Sequence, residues 1–139
     1  MAALALLLPG LAPAPFDDPG EGMHAEIARE ILLEGDWITL HLNGVRYFDK
    51  PPLLYWRGAL SMMAWGPTEP VLRLWPVLGV LAAVAGTARL GARLLSPWAG
   101  VVAGLALLTS AGFFAYGHYL RPETLFVAAI QWGFALLLL

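Results

Sequence analysis

The sequence has no cysteine and little charge, and both absences limit what the protein can be. Without cysteine it can form neither a disulfide framework nor a thiolate metal site. Only 13% of its 139 residues are charged and 59% are hydrophobic, whereas a typical soluble domain has about 25% charged residues. The net charge is −2 and no basic cluster is present, which argues against a nucleic-acid-binding protein. We therefore expect an all-α membrane protein.

Acidic residues are nearly absent from the second half of the sequence. Nine of the ten lie before residue 70, and only Glu123 follows. The apolar runs there are close to the roughly 20 residues that a membrane helix needs. We predict transmembrane helices at 71–95 and 97–117, and the start of a fourth at 124–139, where we expect the sequence to be cut within a helix.

The first 16 residues are also apolar, but this run is short and contains three prolines. We interpret residues 1–16 as a truncated first transmembrane helix. A signal peptide is the alternative, and the missing positively charged start counts against it.

The arginines indicate the orientation of the chain in the membrane. Arg89 and Arg93 lie beside the short connection between the second and third predicted spans, with no acidic residue nearby. The positive-inside rule places this connection in the cytoplasm. The segment 17–70 and the turn 118–123 then lie together on the outer, periplasmic face of a bacterial inner membrane, an arrangement typical of a site.

Local patterns predict the structure of the outer segment. Residues 23–34 have apolar side chains at helical spacing, which indicates an amphipathic helix on the membrane surface, and Gly35 ends it. Asn43-Gly44 is a hairpin turn signal. Pro51-Pro52 opens a second helix with the sequence LLYWRGALSMMAW, whose aromatic residues suit the membrane interface.

Two short motifs in the outer segments carry groups that could bind or react. The first, RYFDKPP, places Arg46, Tyr47, Asp49 and Lys50 within five residues. Cations beside a membrane are natural ligands for a lipid phosphate, although an ordinary solvated loop with an Asp49–Lys50 pair explains the motif equally simply.

The second motif is HYLRPETLF, in which Arg121 and Glu123 flank a proline. An acid in the first turn of a helix is favoured by the helix dipole, so a capping role explains Glu123 as well as a functional one. The three histidines, His24, His41 and His118, have no metal-ligand spacing, and we interpret them as polar interfacial residues.

Together these pieces resemble the first outer loop of the polytopic glycosyltransferase-C enzymes that include aminoarabinose (lipid A) transferase and the protein mannosyltransferases. The matching stretch is AEIAREILLEGDWITLHLNGVRYFDKPPLLYW, and the resemblance extends from Asp17 to Leu125. The family pattern is an Asp-Glu pair, then Ala-Glu-Ile-Ala-Arg-Glu, Gly-Asp-Trp, Leu-Asn-Gly and Tyr-Phe-Glu-Lys-Pro-Pro.

The resemblance implies a many-helix membrane enzyme that moves a sugar from a polyprenyl-phosphate donor to a lipid, glycan or protein acceptor at the outer face. It implies that Tyr47 and Lys50 contact the donor phosphate, and we add the cations Arg46 and Arg121. Asp49 becomes a candidate contact for a divalent metal, and Glu123 becomes the second acid of the site.

The sequence departs from the family at the first acid. The family Asp falls on Gly20, and its following Arg and Tyr fall on Met23 and His24. We therefore expect either Asp18 or Glu21 to act in its place, or the protein to be impaired.

Three functions stay open at this stage. The first is the beginning of a membrane glycosyltransferase that is inactive as an isolated piece. The second is a non-catalytic protein of the same fold that binds polyprenyl phosphate. The third is a small structural membrane protein or part of a transporter.

Overall fold

The structure is a computed structural model that describes residues 15–16 and 19–138. The first predicted span therefore falls almost entirely outside the described residues. The described part contains six helices and one short hairpin, in the order α1 Gly20–Glu34, β1 His41–Leu42, β2 Val45–Arg46, α2 Leu53–Trp65, α3 Glu69–Leu94, α4 Pro97–Thr109, α5 Ala111–His118 and α6 Glu123–Leu137.

The outer segment folds as its local signals predict. Helix α1 ends at Gly35, which has a φ of 72° and donates its N–H to the Ile31 carbonyl at 3.0 Å, a left-handed cap for which glycine is suited. Asn43 and Gly44 both have positive φ and connect the two antiparallel strands, as expected for a type I′ turn. Helix α2 covers the predicted run after Pro52.

The outer segment has a core of its own between α1 and α2. Ile27 and Ile31 of α1 are at most 2% exposed and pack with Tyr55 and Ala59 of α2 and with Leu40 before the hairpin. Full burial of each of these large apolar side chains contributes about 1.5–3 kcal/mol, so α1 is held firmly against α2.

Three apolar helical segments follow. Helix α3 has the length and hydropathy of a membrane span. Helices α4 and α5 reach that length only as a pair, with a 62° bend between them, so the segment predicted at 97–117 consists of two helices. Helix α6 is apolar but shorter. Whether each segment crosses the membrane stays a prediction.

Small residues allow α3 and α4 to cross closely. A Cβ added at Gly100 would clash with the carbonyl oxygen of Ala88, and one at Gly91 would lie 2.9 Å from the Gly100 Cα. Such backbone contact between small residues is a common way for helices to associate within membranes. The bent pair α4–α5 is thereby held against α3.

Candidate functional site

The segment 17–70 and the turn 118–123, which are distant in sequence, meet at one cavity. Its volume is about 210 Å³, and it is lined by Lys50 and Pro51 from the first segment, by Pro122 and Glu123 from the turn, and by Phe126 of α6. An apolar groove bordered by Pro51, Pro122 and Phe126 continues from it along α2 and α6. The cavity thus combines a cation and a carboxylate at its mouth with an apolar wall.

Asp49 contacts both Tyr47 and Lys50, and Lys50 lines this cavity. Its Oδ2 accepts a hydrogen bond from the Tyr47 hydroxyl at 3.3 Å and lies 4.0 Å from the Lys50 Nζ. Because the Lys50 side chain is 41% exposed, its ammonium remains available to an anionic ligand.

His24 lies behind this group. Its Nδ1 is 3.0 Å from the Tyr55 hydroxyl, and the ring of Tyr47 meets the ring of Tyr55 edge-on at 6.0 Å. Burial lowers the pKa of His24 and raises that of Tyr55, so both side chains are held in their neutral forms. The His24 side chain is only 6% exposed, so it is enclosed by the protein, and its position at the membrane interface stays a prediction.

Glu21 is part of a buried ion pair. Its two carboxylate oxygens accept hydrogen bonds from Arg73 Nε at 3.0 Å and Arg73 Nη2 at 2.6 Å, and Oε1 also accepts from the Leu120 backbone N–H at 2.7 Å. The two side chains are 2% and 7% exposed. This pair joins α1, α3 and the turn before Arg121, so the geometry indicates a structural role for Glu21 and weighs against its prediction as a catalytic base.

Gly20, the residue before Glu21, faces Arg121. A Cβ built at Gly20 would be 3.4 Å from Arg121 Nη2. The guanidinium also lies over the Tyr116 ring at 5.7 Å and borders a second cavity of about 400 Å³ with Tyr116 and Tyr119. Arg121 therefore stands between the start of α1 and this neighbouring cavity.

Glu123 occupies the first turn of α6, where the helix dipole stabilises its charge. Its Oε2 is buried, and within 19–138 no hydrogen-bond partner reaches it. A buried carboxylate oxygen without a partner is costly, and a ligand hydroxyl in the cavity would supply the missing bond.

Of the predicted site residues that the structure describes, Lys50 and Glu123 line the cavity. Arg46 is exposed on β2, and across the described residues no hydrogen bond or ion pair links it to the cavity. Asp18 lies outside the described residues and stays a prediction. Among the described residues no group of three or more His, Cys, Asp or Glu side chains could hold a metal ion, so Asp49 as a metal contact also stays a prediction.

The chain matches a known family. A family model for dolichyl-phosphate-mannose-protein mannosyltransferases matches residues 49–139, which is well over half of the chain. The chain belongs to this family. The match covers Asp49, Lys50, Arg121 and Glu123, and it confirms the membership that the motifs predict.

Curated relatives and solved structures agree with the family. The undecaprenyl phosphate-alpha-4-amino-4-deoxy-L-arabinose arabinosyl transferase of Edwardsiella ictaluri (strain 93-146) is 38% identical over 109 residues, which are 78% of this chain and 20% of that protein. The transferase 2 of this name from Sodalis glossinidius (strain morsitans) is 48% identical over 67 residues, 48% of this chain and 12% of that one. The chain thus spans at most about a fifth of the curated relatives it matches.

Two crystal structures of ArnT from Cupriavidus metallidurans, one in the apo state and one bound to undecaprenyl phosphate, match with a TM-score of 0.89 and 28% identity. They cover 99% of this chain and 26% and 25% of the ArnT chain. The predicted fold class is confirmed: the chain has the helical membrane fold of glycosyltransferase-C proteins.

Local sequence patterns indicated Lys50 and Glu123, which line one cavity, but they did not indicate the burial of His24. The signal for its burial was nonetheless present, since residues 24, 27, 28 and 31 lie on one face of a helix and the other three are apolar. The pairing of Glu21 with Arg73 joins residues 52 positions apart, which no local pattern specifies.

Proposed function

We propose that this chain is part of a membrane glycosyltransferase that moves a sugar from a polyprenyl-phosphate-linked donor to a lipid, glycan or protein acceptor. The observation that carries the proposal is the cavity where the Lys50 cation and the Glu123 carboxylate meet above an apolar groove. An amphiphilic donor needs these features, a cation for its phosphate and an apolar wall for its chain. The undecaprenyl phosphate bound to the related ArnT structure is a molecule of this chemistry.

In this mechanism Lys50 and Tyr47 hold the donor phosphate. Negative charge grows on the phosphate as the bond to the sugar breaks, and a fixed ammonium and hydroxyl stabilise that charge. Asp49 keeps both groups in place through its contacts with them. Arg121 adds a second cation on the far side of the site, beside Gly20.

Glu123 contacts the acceptor in this mechanism. Its unpartnered Oε2 is suited to accept a hydrogen bond from the attacking hydroxyl, which orients that group toward the sugar carbon. We place this site at the outer face of the membrane, because Arg89 and Arg93 mark the opposite end of α3 as cytoplasmic.

A non-catalytic protein that binds polyprenyl phosphate is the second candidate function. Two observations favour it: Gly20 offers no carboxylate beside Arg121, and Glu21 is occupied by Arg73. In this case Lys50 and the groove bind the lipid, and no sugar is released.

Binding and turnover measured side by side distinguish the two functions. Membranes that contain the full-length protein of which this chain is proposed to be a part are given undecaprenyl phosphate to measure binding. The same membranes are given the 4-amino-4-deoxy-L-arabinose-linked donor to measure release of undecaprenyl phosphate. We expect Lys50→Gln to weaken binding by about 10- to 100-fold, the value of a charged hydrogen bond. We expect Glu123→Gln to keep binding and to slow release by about 100-fold or more.

The matched control is Arg29→Gln, which removes an exposed cation that pairs with Glu26 away from the cavity. It should change neither quantity. Binding without release in the wild type would favour the non-catalytic function, and binding that is unaffected by Lys50→Gln would contradict the site itself.

A further inference from the structure

Glu30 of α1 binds the turn of the hairpin. Its Oε1 accepts a hydrogen bond from the Asn43 backbone N–H at 2.5 Å, and its Oε2 accepts a longer one from the Gly44 N–H at 3.4 Å. Both turn residues have positive φ, and their consecutive N–H groups converge on this one carboxylate. Successive backbone N–H groups in a turn form a concave site that binds anions. The turn is therefore attached to α1 through the Glu30 side chain.

The burial of Glu30 makes these hydrogen bonds important. The residue is 7% exposed, and within the described residues no lysine or arginine forms an ion pair with it. A buried carboxylate is costly unless hydrogen bonds compensate for the lost water, and hydrogen bonds to a charged acceptor are stronger than those between neutral groups. The contact is thus a strong connection between α1 and the hairpin.

The base of the hairpin is fixed by a backbone hydrogen bond. The Tyr47 N–H donates to the Leu40 carbonyl at 2.7 Å, and Leu40 is 4% exposed in the core between α1 and α2. The Tyr47 ring also meets the buried Tyr55 ring edge-on. The hairpin is therefore attached to α1 at its turn and to this core at its base, and Lys50 follows Tyr47 by three residues.

Little apolar burial holds the chain between the turn and Lys50. Val45 and Phe48 are 69% and 78% exposed, and the Lys50 side chain is 41% exposed. A segment with few buried apolar contacts has low local stability, so hydrogen bonds have a large share in fixing its position. Loss of the bonds from the turn to Glu30 should therefore be felt as far as Lys50.

We propose that Glu30 is a positioning residue for Lys50, because the turn that it binds begins the strand that leads to this lysine. Glu30 touches neither donor nor acceptor, and it acts by keeping the Lys50 ammonium at the wall of the cavity. An ammonium whose position is fixed before binding loses less conformational freedom when the phosphate arrives, which strengthens binding. This inference rests on the proposed function and extends it to the group that prepares the phosphate site.

The test measures binding of undecaprenyl phosphate to membranes that contain the full-length protein or its Glu30→Gln variant. The amide keeps one acceptor oxygen but places its NH₂ group against the second N–H of the turn, and two donors cannot bond to each other. We expect the affinity to fall by about 3- to 30-fold, the range of coupling between interacting residues. Glu30→Asp keeps both acceptor oxygens on a shorter side chain, so its loss of affinity should be smaller.

A double variant distinguishes positioning from a general loss of structure. Lys50→Gln alone weakens binding in the proposed function, and Glu30→Gln added to it should cause at most about a twofold further loss, because the ammonium that Glu30 positions is then gone. Losses that multiply would show that the two residues act independently. Thermal unfolding in detergent measures the stability of each variant, and Glu30→Asp takes the place of Glu30→Gln in this cycle if the latter does not fold.

The matched control is Glu26→Gln, the same change on the same helix at an acid that pairs with Arg29 instead of with the turn. It should bind undecaprenyl phosphate with the wild-type affinity. Wild-type affinity in the Glu30 variant, or independent losses in the double variant, would overturn the role of Glu30 and leave the proposed function standing. Wild-type affinity in Lys50→Gln would overturn both.

Discussion

Gly20 and Glu21 are neighbours in the sequence but face different residues. Glu21 turns inward to Arg73 and to the backbone N–H of Leu120, while Gly20 faces the guanidinium of Arg121. Removal of an ion from water is costly, so a buried pair is stable only while both partners remain. Glu21 therefore has a structural role in the buried ion pair. Gly20, which faces Arg121, has no carboxylate.

The first prediction concerns the buried pair. Glu21→Gln should lower the free energy of unfolding by about 3–5 kcal/mol, because it leaves the charge of Arg73 buried and uncompensated. Thermal unfolding in detergent measures this loss. Glu26→Gln, which removes an exposed acid paired with Arg29 on the same helix, is the control and should leave the unfolding temperature unchanged. Equal unfolding temperatures for the two variants would contradict the structural role of Glu21.

The second prediction concerns the space opposite Arg121. Gly20→Asp should be more stable than Gly20→Ala, because only the aspartate places a carboxylate next to the guanidinium and in the first turn of α1. We expect a difference of about 0.3–1 kcal/mol at low ionic strength, decreasing with added salt. Thermal unfolding at two salt concentrations measures it. A difference that does not respond to salt would show that the carboxylate does not meet Arg121.

At the scale of elements, α3 determines where the parts of the site lie. Its Arg73 fixes the start of α1, and its Gly79 packs against the start of α6, where a Cβ would lie 2.8 Å from Thr124 Oγ1 and 2.9 Å from the Leu125 nitrogen. Thr124 follows Glu123 directly. The position of Glu123 over the cavity thus depends on how closely α3 and α6 approach.

The third prediction follows from this contact. Gly79→Ala forces the first turn of α6 away from α3, because the added methyl group meets backbone atoms that cannot rotate aside. We expect a loss of about 1–3 kcal/mol in the free energy of unfolding, as for other overpacked sites, together with slower release of undecaprenyl phosphate from the donor. Gly112→Ala is the control, since a Cβ there has no atom within 4 Å. Similar stability and release for both variants would contradict the role of this contact.

Elements with strong local signals could be predicted from the sequence. Helix α2 follows Pro51-Pro52 as expected, and the hairpin turns at Asn43-Gly44, because proline and glycine restrict or free the backbone at those positions. The contacts that assemble the site depend on residues far apart in the chain. The bond from Leu120 to Glu21 spans 99 positions, so local patterns specify the elements and leave their pairing open.

The bend after α4 has a local signal in the sequence, two residues with hydroxyl side chains, but hydropathy does not detect it. Residues 97–117 are uniformly apolar apart from Thr109 and Ser110. Their hydroxyls donate to the carbonyl oxygens of Leu105 and Leu107, and Ser110 itself has an extended conformation. Side-chain hydroxyls that bind preceding carbonyls commonly bend helices. A hydropathy average over 97–117 is lowered only slightly by Thr109 and Ser110, so it predicts a span there and gives no sign of the bend.

At the scale of the whole molecule, charge is sorted to the two ends of the apolar helices. The described cavity with Lys50 and Glu123 lies at the start of α6, which packs against Gly79 in the first half of α3. Arg89 and Arg93 lie near the far end of α3, and cytoplasmic connections favour arginine and lysine. A site supplied by a polyprenyl donor at the outer face is consistent with this arrangement, since the cavity is nearer to the end of α3 that is opposite these arginines.

The last prediction tests this orientation directly. These 139 residues contain no cysteine, so each introduced thiol is the one thiol within them. Val45 in the hairpin and Leu95 after α3 are 69% and 80% exposed, and they lie at opposite ends of the apolar helices. In cells with a permeabilised outer membrane, Val45→Cys should react with a membrane-impermeant maleimide. Leu95→Cys should react only after the inner membrane is opened, and both should react in detergent. The reverse pattern would place the Lys50–Glu123 cavity in the cytoplasm and contradict an outer-face transferase, because the donor phosphate and the acceptor would then have to meet on the inner side.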